Sequence, residues 1–157
     1  LFLEHAKKPA QQLRKLLMPF KSEYYYVFLD CPPSISLASE SVFHAADAVL
    51  VPTIPTTLSL RTYKQIRRFF KQQGLPPEKV MSFFSMVDRR KQLHNTIVDN
   101  PPEYMTDLLP AGIPYSSDVE RMGVHRSPVA AFAPRSLPAC SYEALWEDIK
   151  KRLPACR

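Results

Sequence analysis

Apolar residues recur in this chain with two spacings that alternate along its length. Short runs rich in aromatic and β-branched residues predict buried strands, and repeats every three or four residues predict helices. The predicted strands are 24–30, 48–52, 79–87 and, briefly, 111–114. The predicted helices are 9–17, 36–45, 57–73, 92–99, 103–109 and 141–153, with an irregular stretch at 128–134. Strands joined by helical crossovers predict an α/β fold, a parallel sheet with helices on both faces.

The first predicted strand ends in an acidic residue, Asp30, which the rigid pair Pro32-Pro33 follows closely. Open α/β sheets bind ligands at the carboxyl ends of their strands. In nucleotide hydrolases an Asp at such a position holds the Mg²⁺ that bridges the phosphates. Asp30 is therefore predicted to be a catalytic, metal-binding carboxylate. The alternative is a solvated side chain at a strand that stops in a Pro-rich turn.

Five segments between about residues 10 and 153 occur in an informative order, and they are 30–34, 46–52, 84–93, 112–114 with 125–128, and 133–136 with 142–145. Together, and in this order, they resemble the ParA/Soj family of partitioning ATPases, of the deviant-Walker P-loop class. The resemblance implies a P-loop NTPase-like fold with ATP and Mg²⁺ as cofactors. It also implies a homodimer, DNA bound without sequence preference, a stimulating ParB-like partner and a place at the nucleoid of the bacterial cytoplasm.

The resemblance also implies which residues hold the nucleotide. Met86 and Pro114 match the family positions that enclose the adenine ring, with Tyr115 in the same loop and Asp88 directed at base or ribose. A thioether and a flat Pro ring can pack on a purine while backbone groups read its edge. The alternatives are core packing for Met86, and a helix cap or a surface ion pair for Asp88.

One part of the family pattern is missing from this sequence. The phosphate-binding loop of the family is Gly-rich and precedes the Asp-x-Pro-Pro strand, whereas the three glycines here, Gly74, Gly112 and Gly123, lie far apart. Such a loop cradles phosphates with successive backbone N–H groups. We therefore expect residues 1–157 to be a single domain, the C-terminal part of an ATPase that is incomplete at its N-terminus. By itself the chain should not hydrolyse ATP.

The net charge of +6 favours a polyanionic partner. Cations at three- and four-residue spacing form one stripe on the helix 57–73, and they are Arg61, Lys64, Arg68 and Lys71. Further clusters lie at 89–91 and 150–152. The resemblance assigns Arg90 to a DNA-contacting arginine, but Asp118 stands where the family has a second one. Lysines and arginines on a helix face can contact phosphates without reading bases. The alternative is an ordinary solvated face.

Two alternatives to a partitioning ATPase stay open. One is a non-catalytic DNA- or protein-binding module on the same fold. The other is a MinD-like membrane-cycling ATPase, because the last helix carries an apolar stripe beside cations. The stripe consists of Tyr142, Leu145, Trp146, Ile149 and Leu153. Its competing interpretation is packing on the core. No run approaches the 18 apolar residues of a membrane span, so a membrane partner is not expected. The three cysteines match neither a disulfide framework nor a zinc site.

Overall fold

The structure, a computed structural model, describes residues 9–31 and 37–153. The chain divides into two compact units, the first within residues 1–49 and the second Leu50–Leu153. The expectation of a single domain over residues 1–157 stays a prediction.

The described part of the first unit is helical. Its elements are α1 (Pro9–Leu17), a 3₁₀ turn (Pro19–Ser22) and α2 (Leu37–Ala45). Helices α1 and α2 pack on each other, with Leu13 and Phe43 buried. The Arg14 guanidinium donates to the carbonyl of His44 at 2.7 Å, close to the end of α2. Both helices were predicted; Ser36, where the second was predicted to begin, lies outside the described residues.

The predicted strand 24–30 is wrong. Residues 25 to 30 carry no strand, and the Tyr25 side chain is 87% exposed. A strand exists only where a neighbour supplies ladder hydrogen bonds, and the sheet in the described residues does not include this segment. Apolar composition alone therefore did not bring this segment into the described sheet. Pro32, Pro33 and Ser34, which follow it in the family pattern, lie outside the described residues.

The second unit has the predicted α/β architecture with parallel strands. Strands β1 (Val49–Thr53) and β2 (Val80–Phe84) pair in a two-stranded sheet, and α3 (Thr57–Gln72) connects them. A 3₁₀ turn (Pro77–Lys79) precedes β2. The remaining helices are α4 (Gln92–Asp99), α5 (Ser117–Glu120), α6 (Met122–His125), α7 (Val129–Phe132) and α8 (Leu137–Arg152).

Helix α3 is fixed at both ends by local signals. The Thr56 hydroxyl caps it by accepting from the Ser59 N–H at 3.4 Å. At the other end Gly74 adopts a positive φ of 62°, and the Leu75 N–H bonds back to the Phe70 carbonyl at 2.9 Å. This is the Schellman arrangement, which needs a residue without Cβ strain at the turn. The apolar side of α3 faces the core, as its spacing predicted.

The far edge of β2 is covered by two irregular segments instead of a helix. The Leu109 N–H donates to the Ser82 backbone carbonyl at 2.7 Å, and the Ile113 N–H donates to the Phe84 backbone carbonyl at 2.8 Å. The predicted helix 103–109 is wrong because its backbone groups bond to β2 in a single parallel bridge. The predicted edge strand at 111–114 is likewise reduced to one bridge. The third predicted strand, 79–87, stops at Phe84 because the chain turns at Met86, where φ is 54°.

Helix α8 begins earlier than predicted. The Ser136 hydroxyl caps it by accepting from the Ala139 N–H at 3.4 Å, and Pro138 fits the first turn. Leu145 and Ile149 are buried, so the centre of its apolar stripe packs on the core. Helix α7 occupies part of the stretch 128–134 that was predicted to be irregular. Among the described residues, no helix combines the length and apolarity that a membrane crossing requires.

Candidate nucleotide and nucleic-acid site

Two loops meet where β2 ends. The Val87 N–H donates to the Ile113 carbonyl at 3.0 Å, and the Tyr115 N–H donates to the Val87 carbonyl at 2.9 Å. These bonds clamp the loop after β2 to the loop before α5. They bring together the four predicted nucleotide-binding residues, Met86, Asp88, Pro114 and Tyr115. Their roles stay predictions, but their proximity is a fact of the fold.

Two of the four present apolar surface to solvent. Met86 is 48% exposed and Tyr115 is 46% exposed. Core packing, the alternative for Met86, is therefore excluded, since its left-handed backbone turns the residue out of the strand. A hydrogen bond to Glu120 raises the pKa of the Tyr115 phenol, which stays neutral near pH 7. Exposed apolar side chains beside a Pro ring suit a flat aromatic ligand.

The Asp88 carboxylate forms an ion pair with Arg90. Its Oδ1 accepts from the Arg90 Nε at 2.8 Å, and its Oδ2 accepts from the Arg90 Nη2 at 2.9 Å. The Arg90 backbone N–H adds a third bond to Oδ1 at 3.1 Å. These hydrogen bonds lower the pKa of the Asp88 carboxyl from 3.8 to about 2, against the opposing effect of its desolvation. Of the two alternatives weighed for Asp88, the ion pair is the one that forms.

A buried histidine anchors the same loop. The Asp88 N–H donates to His94 Nδ1 at 3.1 Å, so this nitrogen is unprotonated and the proton of the neutral ring lies on Nε2. His94 lies on the buried side of α4, which also holds Ile97. The Lys91 N–H closes the turn on the Asp88 carbonyl at 3.0 Å. Sequence reasoning missed His94, whose only signal was its place on the inner face of α4.

The cations of α3 form an exposed row. We call Arg61, Lys64, Arg68 and Lys71 the α3 stripe, and all four are exposed. Within the part of the chain that the structure describes, no member makes an ion pair. The Lys64 ammonium lies 4.1 Å from the centre of the Tyr104 ring, a cation–π contact. Among residues 9–31 and 37–153, the α3 stripe is therefore positive charge without a carboxylate at ion-pair distance.

The other basic clusters are largely paired. Arg89 contacts Asp99 at 2.9 Å. We call residues 150–152 the α8 cluster, and two of its members pair with acids one turn earlier, Lys150 with Glu147 at 2.6 Å and Lys151 with Asp148 at 3.4 Å. The third member, Arg152, donates to the backbone carbonyls of residues 107 and 108 at 2.9 and 3.0 Å.

Asp30, the predicted metal ligand, has an exposed carboxylate in the first unit. Within residues 9–31 and 37–153, no group of three or more His, Cys, Asp and Glu side chains forms a metal site. Mg²⁺ bound to a nucleotide often takes only one or two protein carboxylates, besides phosphates and water. A lone Asp30 thus suits Mg²⁺ that arrives with a nucleotide better than a resident ion. Burial, and next the Asp30 charge, raise the pKa of the Cys31 thiol, which is therefore not activated.

A buried polar network holds α3 to the segment before residue 109. The Tyr63 hydroxyl donates to Asp107 Oδ1, and Arg67 lies 3.9 Å from the same oxygen. Burial raises the Tyr63 pKa, and the bond to Asp107 adds to the effect. The sequence indicated Tyr63 only as an apolar position of the helix. Its partner, 44 positions away, had no signal of its own.

Solved structures support the fold of the chain. It is similar to the cell division ATPase MinD of Pyrococcus furiosus, with a TM-score of 0.69 and 19% identity over 90% of this chain and 58% of that one. It is also similar to a putative plasmid partition protein of Borrelia burgdorferi, solved with AMPPNP, with a TM-score of 0.66, 16% identity, and coverage of 88% and 56%. The class is thus an α/β fold shared with such ATPases.

Sequence comparisons give the family. A family model described as "AAA domain" matches residues 1–79, just over half of the chain. The chain belongs to this AAA domain family, and its resemblance to the ParA/Soj proteins is confirmed. It is 27% identical to a chromosome partitioning protein ParA of Myxococcus xanthus, over 90% of this chain and 52% of that protein. It is 28% identical to a chromosome-partitioning ATPase Soj of Treponema pallidum, with coverage of 89% and 57%. The chain spans about half the length of these relatives.

Proposed function

We propose that this chain is part of a partitioning ATPase that binds ATP with Mg²⁺, dimerises on the nucleotide and binds DNA without sequence preference. The observation that carries the proposal is the meeting of the two loops after β2 and before α5. That junction brings together exposed apolar side chains and an ion pair with a basic member at the carboxyl edge of a parallel sheet. Ligands bind at this edge in open α/β folds.

The nucleotide's base is assigned to the junction of the two loops. Met86, Pro114 and Tyr115 would flank a purine with their apolar surfaces, and neighbouring backbone groups would read its edge. The phosphates need a different element, because no Gly-rich loop is present in this sequence. Mg²⁺, when bound with the phosphates, offsets their charge, and Asp30 would contribute one carboxylate to it.

DNA is assigned to the positive surface. The α3 stripe and Arg90 carry charge toward solvent, as phosphate contacts require. Binding of this kind is salt-dependent and nearly independent of sequence. A ParB-like protein that stimulates hydrolysis completes the proposed cycle, at the nucleoid of a bacterial cell.

The test uses a complete protein that carries this segment. Asp30→Ala should abolish ATP hydrolysis while thermal unfolding stays unchanged, because the exposed carboxylate serves the metal and not the fold. Asp47→Ala, at another exposed acid of the first unit, is the control and should keep wild-type turnover. Wild-type turnover in Asp30→Ala would refute the catalytic assignment. The chain by itself should bind ATP·Mg²⁺ weakly or not at all by calorimetry, and micromolar affinity would contradict that expectation.

A non-catalytic DNA-binding module is the second candidate, and the α3 stripe favours it. The stripe is an exposed face of a single helix, so presenting its charge does not itself require hydrolysis. DNA binding that is equally strong with and without ATP would select this module over the ATPase. Leu145 and Ile149 of the proposed membrane anchor are buried, which favours core packing of α8 over the MinD-like membrane alternative.

A further inference from the structure

We propose that Asp88 is a positioning residue for DNA binding, which holds the Arg90 guanidinium in one plane with its outer edge toward solvent. The inference rests on the DNA-binding part of the proposed function. It replaces a direct nucleotide contact of Asp88 with a role that Asp88 performs through Arg90.

Asp88 and Arg90 form a bidentate ion pair, in which two parallel hydrogen bonds join the carboxylate to the guanidinium (a fork). Both carboxylate oxygens accept from one guanidinium, at 2.8 and 2.9 Å. Parallel bonds of this kind fix the plane of the guanidinium as well as its distance. The side chain of Asp88 is only 10% exposed, whereas that of Arg90 is 79% exposed. The acid is therefore the fixed half of the pair, and the base is the half that reaches solvent.

Asp88 is itself held in place. Its backbone N–H is tied to the buried His94 ring at 3.1 Å, and its carbonyl accepts from the Lys91 N–H at 3.0 Å. Its Oδ1 also accepts the Arg90 backbone N–H. The carboxylate thus has little rotational freedom left, and with three bonds already accepted it has little capacity for a ligand hydroxyl.

Arg90 keeps donors for another anion. A guanidinium has five N–H groups, and the carboxylate engages the Nε–H and one N–H of Nη2. The N–H groups of Nη1 and the second N–H of Nη2 remain, and they form the outer edge. A phosphate can accept two parallel bonds from this edge. Because the side chain is already ordered, such a contact loses less conformational entropy than a free arginine would.

The neighbouring pair of Arg89 and Asp99 provides a contrast. Only one carboxylate oxygen is engaged, at 2.9 Å, and the two side chains are 60% and 59% exposed. An exposed pair with one bond contributes little. Among the described residues, the only other hydrogen bond of the Arg89 side chain is a long one from the same nitrogen to Asn95 Oδ1, at 3.5 Å, so its guanidinium is not held by a fork. Asp99→Asn therefore serves as the matched control, since it removes one negative charge from the same neighbourhood without removing a fork.

The experiment measures anisotropy of two unrelated labelled duplexes with the complete ATP-bound protein, between about 50 and 200 mM salt. Asp88→Asn should weaken binding to both duplexes and make the salt dependence shallower by up to about 0.9, so that its deficit relative to wild type shrinks about threefold between about 50 and 200 mM salt. Simple electrostatics predicts the opposite sign, because a negative charge is removed. Arg90→Ala should weaken binding similarly, and the double variant no further. Asp99→Asn should leave affinity unchanged or slightly higher.

The possible results separate two failures. Unchanged or tighter binding by Asp88→Asn, together with weaker binding by Arg90→Ala, overturns the positioning role and leaves DNA binding intact. Unchanged binding by both Arg90→Ala and a variant without the α3 stripe overturns DNA binding itself. If thermal unfolding shows that Asp88→Asn does not fold, Arg90→Lys decides, because it keeps the charge on an exposed side chain and loses the fork. Weaker binding by Arg90→Lys supports the proposal, and wild-type affinity overturns it.

Discussion

Helices α3 and α8 are alike in build and opposite in the use of their charge. Each has 16 residues and a hydroxyl cap, from Thr56 and Ser136 respectively. Each buries apolar residues and carries exposed cations. The α3 stripe makes no ion pair within the described residues, whereas the lysines of the α8 cluster pair with acids on their own helix. A count of basic residues in the sequence does not separate these cases; the positions of the acids do.

The largest expected effect is a loss of folding stability when the buried apolar face of either helix is truncated. Phe70→Ala in α3 should lower the free energy of unfolding by about 3–5 kcal/mol, and Leu145→Ala in α8 by about 2–5 kcal/mol, since both side chains are buried. Leu58→Ala, at an exposed position of α3, is the control and should change it by under about 0.5 kcal/mol. Denaturant unfolding checks all three. A small effect of Phe70→Ala would mean that α3 is not anchored through its apolar face.

The next effect should separate the two helices. Neutralising the α3 stripe with glutamines should weaken DNA binding and make the salt dependence shallower by up to about 0.9 per lost contact. The same change at Lys150 and Lys151 should have a much smaller effect, because their charge is already offset on α8. Anisotropy with the complete ATP-bound protein measures both. Equal losses from the two helices would show that net charge alone governs binding.

The smallest expected effect is a pH response that the α3 stripe lacks. The folded pKa of Asp88 is depressed to about 2 from an ordinary 3.8. A depressed acid contributes stability that is fully present above its unfolded pKa and is lost as pH falls toward the folded value. The difference in unfolding free energy between wild type and Asp88→Asn should therefore be constant from pH 8 to about 5 and shrink between about 4 and 2. A difference that already shrinks near pH 6 would assign the effect to another group.

Local signals explain what the sequence predicted. Helix α3 was predicted from apolar spacing within the segment itself, and the residues that fix its two ends in the structure, Thr56 and Gly74, lie directly beside it. The α4 helix and β1 followed from spacing in the same way. The predictions for segments 24–30 and 103–109 were wrong because whether a backbone pairs with a distant strand does not depend on the sequence of the segment alone. Periodicity indicates whether a segment prefers helix or strand, whereas the rest of the fold determines which strand it can pair with.

The candidate site was predictable to a similar degree. The family resemblance indicated Met86 and Pro114, and the fold places them on adjoining loops. An ion pair was one of the alternatives for Asp88, but its partner Arg90 was not predictable, because the pairing depends on the turn after β2, where Met86 has a positive φ. The anchoring role of His94 depends on the same turn. Asp30 stays a prediction, since the strand expected to position it did not form.

Two prolines at the edge of the sheet have a consequence for association between molecules. The Leu109 and Ile113 N–H groups point toward β2, and the Tyr115 N–H points toward Val87 in the loop that follows it. Positions 110 and 114 therefore stand where an N–H would point outward. Both are proline and have no N–H to offer. A strand from another chain therefore finds no donor at either position. Unpaired edges are where sheets grow into aggregates, and proline is one of the residues that block this growth. The irregular segments that replace a helix here also terminate the sheet.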